Sequence, residues 1–237
     1  MPDICIVMPV YNEEDCIESV LDEWKKVLEE LSVDYLILAI NDGSKDGTLQ
    51  KMYRFSDDHR VRVIDKPNSG HGPTVLLGYR IATDLSEWVF QCDSDAEMPA
   101  SAFPKLWNQR QNADGVFGIR TGRQQAADRQ IISIISRFVV RCLYGSAVID
   151  VNSPYRLMKS QCLKQFISIM SDDTFAPNVI ISGYFSKQKL KVINCPVPHT
   201  PRKTGRVSIK NWRLWKGALR SLRQTLFYYF KRPSTHE

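Results

Sequence analysis

The sequence predicts a doubly wound α/β domain, in which helices cover both faces of a mostly parallel β-sheet. Short apolar runs alternate with helical patterns from the N-terminus onward, which is typical of parallel strands joined by crossover helices. Polar clusters follow the ends of these runs, where doubly wound sheets bind their ligands. The chain has 237 residues, of which 43% are hydrophobic, and this is enough material for one such domain.

Each element is indicated by its own pattern. The apolar run at residues 4–8 has the character of a buried parallel strand. A helix with acidic residues in its first turn is expected from Asn12 to Leu31. Further strands are predicted at 35–40, 61–64, 88–92 and 116–119, and further helices at 46–55, 73–83 and 131–143.

Two aspartates directly follow the strand predicted at 88–92. Asp93 and Asp95 are separated by one residue, so in an extended segment their side chains point the same way. Carboxylates placed in this way can share one Mg²⁺ or Mn²⁺ ion together with phosphate oxygens, and Glu97 can supply a third oxygen. The alternative is a solvated acidic turn. Because the pair lies at the edge where ligands bind, we expect a metal site.

Three other polar segments end at the same edge of the predicted sheet. Asp42 lies in a turn where a carboxylate can accept hydrogen bonds from a nucleobase or ribose. Gly70 and Gly72 precede a helix, where glycines permit close backbone approach and the helix N-terminus favours an anion. The residues after the first strand would complete a nucleotide cradle: Pro9, Tyr11 and Glu13. Each segment alone is also compatible with a plain turn or loop.

Taken together, these segments resemble the family-2 glycosyltransferases, which have the GT-A fold. The stretches 7–14, 41–48 and 93–95 occur in that family's order and spacing. The resemblance implies that Asp93 and Asp95 face the diphosphate of a nucleotide sugar and its metal. It also implies which residues hold the nucleotide: Pro9, Tyr11, Glu13 and Asp42.

The second half of the chain is similar to the dolichyl- and polyprenyl-phosphate sugar synthases of this family. The resemblance implies that three side chains grip the phosphate of a lipid acceptor: Arg120, Arg129 and Ser133. It also implies a loop that closes over the donor diphosphate: His199, Arg202 and Ser208. The sequence departs from this subgroup at Pro154, where Gly is usual, and it has no apolar run long enough to span a bilayer. For the two arginines, surface ion pairing is the open alternative.

The chemistry of the acceptor decides whether a general base is needed. A polyprenyl phosphate is already largely ionised near neutral pH, since its second pKa is about 6, and it needs positioning by Arg120 and Arg129. A hydroxyl acceptor requires a base, for which Asp150 is the candidate. We expect a metal-dependent, inverting transferase acting on a polyprenyl phosphate, with a saccharide or other hydroxyl acceptor as the alternative. A catalytically silent nucleotide-binding module is the competing class of function.

The C-terminal tail differs in charge from the rest of the chain. From residue 200 onward there are ten Lys and Arg residues against one acidic residue, whereas the whole chain carries +6. We therefore divide the chain into a transferase domain at 1–208 and a basic amphipathic helix or tail at 209–237. In that helix, basic residues run beside an apolar stripe: Trp212, Trp215, Leu219, Leu222, Leu226 and Phe230.

These features predict the partners and the location of the protein. An amphipathic basic helix favours an anionic membrane surface, while packing on the chain's own domain is the alternative. Nucleic acid is not expected, because no nucleic-acid-binding motif accompanies the charge. The six cysteines are scattered, which favours reduced thiols, and there is no secretory signal. We expect a cytoplasmic protein, peripheral on the cytoplasmic face of a membrane, that can form a homo-oligomer.

Overall fold

The structure is a computed structural model that describes residues 1–122, 127–200 and 211–231. Its strands are β1 (Ile4–Val10), β2 (Tyr35–Asp42), β3 (Val61–Lys66), β4 (Trp88–Gln91), β5 (Gly115–Thr121), β6 (Arg156–Lys159) and β7 (Val192–Pro198). Its α-helices are α1 (Ile17–Glu30), α2 (Thr48–Tyr53), α3 (His71–Leu85), α4 (Phe103–Trp107), α5 (Ala127–Tyr144), α6 (Ser160–Ile167), α7 (Pro177–Lys187) and α8 (Asn211–Phe230).

Within the described residues, the strands form one sheet of seven in the order β3-β2-β1-β4-β6-β5-β7. The first four strands are mutually parallel, β6 is antiparallel to both of its neighbours, and β7 is parallel to β5. The predicted fold class is confirmed. Because β6 reverses direction between β4 and β5, the carboxyl ends of β4, β5 and β7 all lie at the same edge of the sheet.

Helices cover both faces of the sheet and enclose two cores. On one face, α1, α2 and α4 pack against the sheet around a group of aromatic side chains. The ring centroid of Phe90 lies 5.3 Å from that of Trp24, 4.9 Å from that of Phe103 and 4.7 Å from that of Tyr155. On the other face, α3, α5, α6, α7 and the end of α8 supply the core. Helix α3 lies so close to the sheet that a Cβ on Gly78 would overlap Val7.

The first helix begins later than its acidic residues predicted. It starts at Ile17, and Asn12 adopts a left-handed backbone with φ of 54°. The N–H of Glu13 donates to Thr48 Oγ1 at 2.8 Å, and Asn12 Oδ1 accepts the N–H of Lys45 at 2.8 Å. Long-range hydrogen bonds therefore hold this segment as a loop and override the local helix-start signal.

Helix α8 packs on the domain through small and polar residues. Gly217, Ser221, Thr225 and Tyr228 are buried, and a Cβ on Gly217 would lie 2.5 Å from the ring of Phe175. The hydroxyl of Tyr144 on α5 donates to the carbonyl of Thr225 at 2.7 Å. No helix in the described part of the chain combines the length and the apolar character needed to cross a membrane.

Candidate active site

The predicted nucleotide segments meet at the carboxyl edge of β1, β2 and β4. Pro9 is buried at the end of β1, and its carbonyl accepts a hydrogen bond from Ser94 Oγ at 3.0 Å. Tyr11 follows as a partly exposed side chain, and Glu13 is buried in the loop before α1. The loop after β1 is thus joined directly to the aspartate segment after β4.

The loop after β1 and the turn after β2 hold each other in place. Asn12 N–H donates to Ser44 Oγ at 3.0 Å, and the carboxylate of Glu14 accepts the N–H of Gly47 at 2.7 Å. These contacts make Asn12, Glu14 and Ser44 structural residues of the site. The sequence placed the two segments at one edge but gave no indication of this mutual bonding.

Asp42 is buried and organises the glycine-rich loop after β3. Its carboxylate accepts the backbone N–H groups of Ser69 at 2.8 Å and Gly70 at 2.9 Å, and it also accepts a hydrogen bond from Lys66 Nζ. The side chain of Asn68 donates to the carbonyl of Asp42 at 2.7 Å. The carboxylate predicted to contact the nucleotide directly is therefore engaged in shaping the loop beside it.

The two predicted glycines of that loop have different environments. Gly70 has a φ of 95°, and a Cβ there would meet no heavy atom within 4 Å, so its backbone is open to a ligand. Gly72 lies in the first turn of α3, where a Cβ would overlap the carbonyl oxygen of Phe175 and lie 2.6 Å from that of Thr174. Gly72 is thus required for packing against the segment before α7, and its predicted role toward an anion stays a prediction.

Asp93 and Asp95 lie at the end of β4 as predicted, and their environment suits a divalent cation. Burial raises the pKa of the Asp93 carboxyl to about 6, with the negative charge of Asp95 adding to the effect and the nearby His71 opposing it. The Nε2 atom of His71 lies 3.8 Å from Asp93 Oδ1. A bound hard cation would offset the charge repulsion between the two neighbouring carboxylates, so the pair suits a divalent metal ion.

Glu97 does not join the two aspartates. Its Oε2 lies 2.9 Å from His199 Nε2, and its carbonyl accepts the N–H of Thr200 at 2.9 Å. Among the residues that the structure describes, no group of three His, Cys, Asp or Glu side chains is placed to hold a metal ion. The expected third carboxylate ligand is therefore paired elsewhere, because the chain after β7 passes directly over it.

Arg120 and Asp150, predicted as separate catalytic residues, are partners. The guanidinium Nε and Nη2 atoms each donate to one carboxylate oxygen at 2.8 Å, and both side chains are largely buried. A bidentate pair of this kind fixes both groups. Asp150 is consequently poorly placed to act as a free general base, and Arg120 is ion-paired in a largely buried position and not at the surface.

Several predicted residues lie outside the described part of the chain. These are Arg202, Ser208 and the side chain of Arg129. Ser133 lies on α5 and is half-buried.

A buried polar group beneath the aspartates was not predicted from the sequence. Gln91, Asn178, Tyr79 and Arg156 are buried on the α3 side of the sheet. Arg156 is surrounded by neutral acceptors, including the carbonyls of Ser153 at 2.9 Å and Asn178 at 3.0 Å, and burial lowers its pKa to about 10. The one signal in the sequence was a glutamine inside the apolar run 88–92, whereas nothing local marks Asn178.

Solved structures with the same architecture define the class of domain. The chain superposes on glucosyl-3-phosphoglycerate synthase from Mycobacterium tuberculosis, crystallised with Mn²⁺, uridine diphosphate and phosphoglyceric acid, with a TM-score of 0.69 at 17% identity, covering 99% of this chain and 80% of that one. A second mycobacterial protein gives a TM-score of 0.69 at 15% identity, covering 99% of this chain and 76% of that one. At these identities the likeness shows the fold, which is the GT-A fold.

The sequence comparison identifies the family. The model described as "Glycosyl transferase family 2" matches residues 5–180, and the chain belongs to that family. It is 27% identical over 206 residues to an undecaprenyl-phosphate 4-deoxy-4-formamido-L-arabinose transferase of Pseudomonas fluorescens and 25% identical over 207 residues to one of Salmonella choleraesuis. These matches cover 85% of this chain but 58% and 61% of the relatives, so the chain spans about three fifths of their length.

Proposed function

We propose that the protein is a metal-dependent, inverting glycosyltransferase that moves a sugar from a nucleotide-diphosphate sugar to a polyprenyl phosphate. The observation that carries the proposal is the pair of carboxylates, Asp93 and Asp95, at the carboxyl edge of β4 in a chain of glycosyl transferase family 2. That edge is where ligands bind in doubly wound sheets.

The donor would lie across the loops that follow β1, β2 and β3. Pro9, Tyr11 and Glu13 would contact it from one side, and the open backbone of Gly70, held by Asp42, would contact it from the other. Asp93 and Asp95 would hold Mg²⁺ or Mn²⁺, which supplies charge neutralisation for the leaving diphosphate when it is bound. In this assignment Asp42 acts through the loop that it orders.

The acceptor is proposed from the chemistry available to the site. The relatives are named as undecaprenyl-phosphate transferases. A phosphate acceptor needs no proton removed from a hydroxyl, which agrees with the bidentate pairing of Asp150, the candidate base, to Arg120. Arg129, Arg202, Ser208 and His199 remain predicted contacts to the acceptor or to the donor diphosphate.

The surface of α5 and α8 supports a lipid acceptor. Helix α8 packs through its small residues, so its apolar stripe faces away from the domain, and Trp215, Leu219 and Phe230 are 45%, 58% and 79% exposed. Helix α5 adds an exposed stripe of its own: Ile131, Ile134, Ile135 and Phe138. We call these residues together the α5–α8 apolar face. An exposed apolar area of this extent marks an interaction surface.

The position and charge of this face favour a membrane as its partner. Helix α5 starts just after the carboxyl end of β5, and α8 runs alongside it, so the face begins near the edge of the sheet that carries Asp93. The exposed Arg141 and Arg223 lie on the same two helices. An apolar face beside cations suits an anionic headgroup layer, where a polyprenyl phosphate is found. We propose that the protein lies peripherally on a membrane, on its cytoplasmic face.

Calorimetry tests the donor and metal part of the proposal. Titration of UDP, GDP, dTDP and CDP in Mn²⁺ and again in EDTA should show one nucleotide bound at least about tenfold more tightly with the metal, because Asp93 and Asp95 would otherwise repel the diphosphate. Equal affinities in Mn²⁺ and EDTA would show that the two aspartates do not hold a metal at the diphosphate.

A further inference from the structure

Gln91 is a polar side chain in the middle of the sheet. It is the last residue of β4, is 0% exposed and lies in register with Val7 on β1 and Arg156 on β6. A buried amide is costly unless its donors and acceptors are satisfied, so both ends of the Gln91 amide need hydrogen-bond partners.

The contacts of Gln91 fix which way its amide points. Its Oε1 accepts a hydrogen bond from the Nδ2 of Asn178 at 2.8 Å, and the hydroxyl of Tyr79, which has one proton to donate, lies 3.1 Å from this Oε1 and 2.9 Å from Asn178 Oδ1. An ionised carboxylate can only accept hydrogen bonds, so the carbonyl end of the amide is the one that faces Asn178 and Tyr79. The Nε2 end then faces Asp93 and donates to its Oδ1 at 3.1 Å.

In this arrangement the two carboxylate oxygens of Asp93 differ in their contacts. Oδ1 carries the contacts with Gln91 and, at 3.8 Å, with His71. Among the described residues, no hydrogen bond to Oδ2 is present. A carboxylate held by one oxygen has a defined rotamer and presents its second oxygen in a fixed direction.

We propose that Gln91 is a positioning residue, which orients the Asp93 carboxylate toward the donor's metal and diphosphate through its Nε2 donor, with Asn178 and Tyr79 fixing the amide from behind. This inference rests on the proposed function, since it assigns Asp93 a ligand to orient. It differs from a purely structural role, in which the same hydrogen bonds would stabilise the sheet without affecting the cation.

Two variants break the contact with Asp93 in different ways. Gln91→Met has similar length but no amide, so it leaves the Asn178 Nδ2 group without its acceptor, while the Tyr79 hydroxyl keeps Asn178 Oδ1 at 2.9 Å. Gln91→Asn keeps a neutral amide but is one methylene shorter, so it cannot contact Asn178 and Asp93 at the same time, and it tests the proposal even if the methionine variant fails to fold. Ser86→Ala is the matched control. Ser86 is also buried, next to the opposite end of β4, and its hydroxyl donates to the carbonyl of Trp88 at 2.8 Å.

Two measurements test whether Gln91 positions the Asp93 carboxylate. In crystal structures without ligand, both Gln91 variants should show the Asp93 carboxylate rotated from its wild-type orientation or in several orientations. In electron paramagnetic resonance titrations with Mn²⁺ and UDP, or whichever nucleoside diphosphate the calorimetry selects, both should bind Mn²⁺ about 10–100-fold more weakly, while Ser86→Ala binds as the wild type does.

The opposite results would overturn the proposal. These are an unchanged Asp93 orientation in both variants, or a loss of Mn²⁺ affinity in Ser86→Ala equal to that in the Gln91 variants. If the wild type binds no Mn²⁺ with any nucleoside diphosphate, the proposed function fails. The orientation of Asp93 in the crystal structures still decides whether Gln91 positions it.

Discussion

At the scale of a single residue, a substitution of Asp95 can remove its negative charge without removing its hydrogen bond to the backbone. Its Oδ1 accepts the N–H of Glu97 at 3.1 Å, so Asp95→Asn keeps an oxygen for this turn and removes only the negative charge. We predict that the variant folds as the wild type does but transfers sugar about 10²–10³-fold more slowly, because charge on the leaving diphosphate is no longer neutralised. Steady-state kinetics at saturating Mn²⁺ measure this effect.

The control for this prediction is Glu30→Gln, which removes one negative charge from an exposed side chain at the last residue of α1, away from the carboxyl edge of the sheet. Its turnover should stay within about threefold of the wild type, since surface changes of this kind have small effects. If Asp95→Asn retains wild-type turnover, the assignment of the aspartate pair to the metal is incorrect.

The positions of the site residues at the strand ends were predictable from the sequence, whereas most of their side-chain contacts were not. Asp93 and Asp95 could be placed because a strand end and the spacing of two residues are local properties. The pairings of Arg120 with Asp150 and of Glu97 with His199 join residues 30 and 102 positions apart, and only the packed sheet brings them together. For the same reason Asn178, which contacts Gln91 across 87 positions, carried no local signal.

At the scale of elements, the first four strands were predictable because each is an apolar run that ends in polar residues. Strand β6 has four residues and no alternation, and β7 contains Pro196 and Pro198, which weaken a strand pattern. Proline is tolerated in β7 because it is an edge strand. The start of α1 was misplaced because tertiary hydrogen bonds hold Asn12 and Glu13 outside the helix.

An ion pair between α1 and the segment before β3 gives a prediction at this scale. Asp58 accepts hydrogen bonds from the side chain of Arg60 at 3.0 Å and contacts Lys25 Nζ at 2.7 Å, and these cations hold its pKa below its usual range. A carboxylate whose pKa is lower in the folded protein than in the unfolded chain stabilises the fold at pH values above the unfolded-state pKa, which is near 4. This stabilisation is lost as the pH falls from there through the folded-state pKa.

We therefore expect Asp58→Asn to lower the free energy of unfolding by about 1–2 kcal/mol at pH 7. The difference from the wild type should shrink as the pH falls below about 4, because the unfolded wild-type chain takes up a proton at Asp58 there while the folded protein does not. Urea unfolding between pH 7 and pH 2 measures it. A difference that is the same at every pH would mean that the charge of Asp58 contributes nothing.

At the scale of the whole molecule, one face of α8 packs on the domain and the other is exposed. The small residues of its buried face hold it on the domain, while its apolar stripe joins that of α5 in the α5–α8 apolar face. The sequence predicted both the stripe and, as an alternative, packing on the domain. Both are present, because the stripe and the packing surface lie on different sides of one helix.

We predict that the double variant Leu219→Gln, Phe230→Gln sediments several-fold less with phosphatidylglycerol vesicles than the wild type. The substitutions remove apolar side chains that would insert into the membrane, so the remaining binding is the attraction of basic residues to the anionic lipid. Added salt should then release most of the protein, because salt screens this attraction. The control is Tyr53→Gln, which changes a 51% exposed side chain on α2, on the opposite face of the sheet. If the wild type does not sediment but forms dimers that the double variant abolishes, the face binds a second copy of this chain instead.

The measurement that tests the central claim most directly compares two acceptors that differ in one group. Undecaprenyl phosphate and undecaprenol are each incubated with the protein, Mn²⁺ and a panel of nucleotide sugars, and the lipid products are identified by mass spectrometry. Because a phosphate acceptor needs no general base, we predict glycosylated undecaprenyl phosphate from at least one nucleotide sugar and no product from the alcohol. Transfer to undecaprenol at a comparable rate, or no lipid product with any nucleotide sugar, would contradict it.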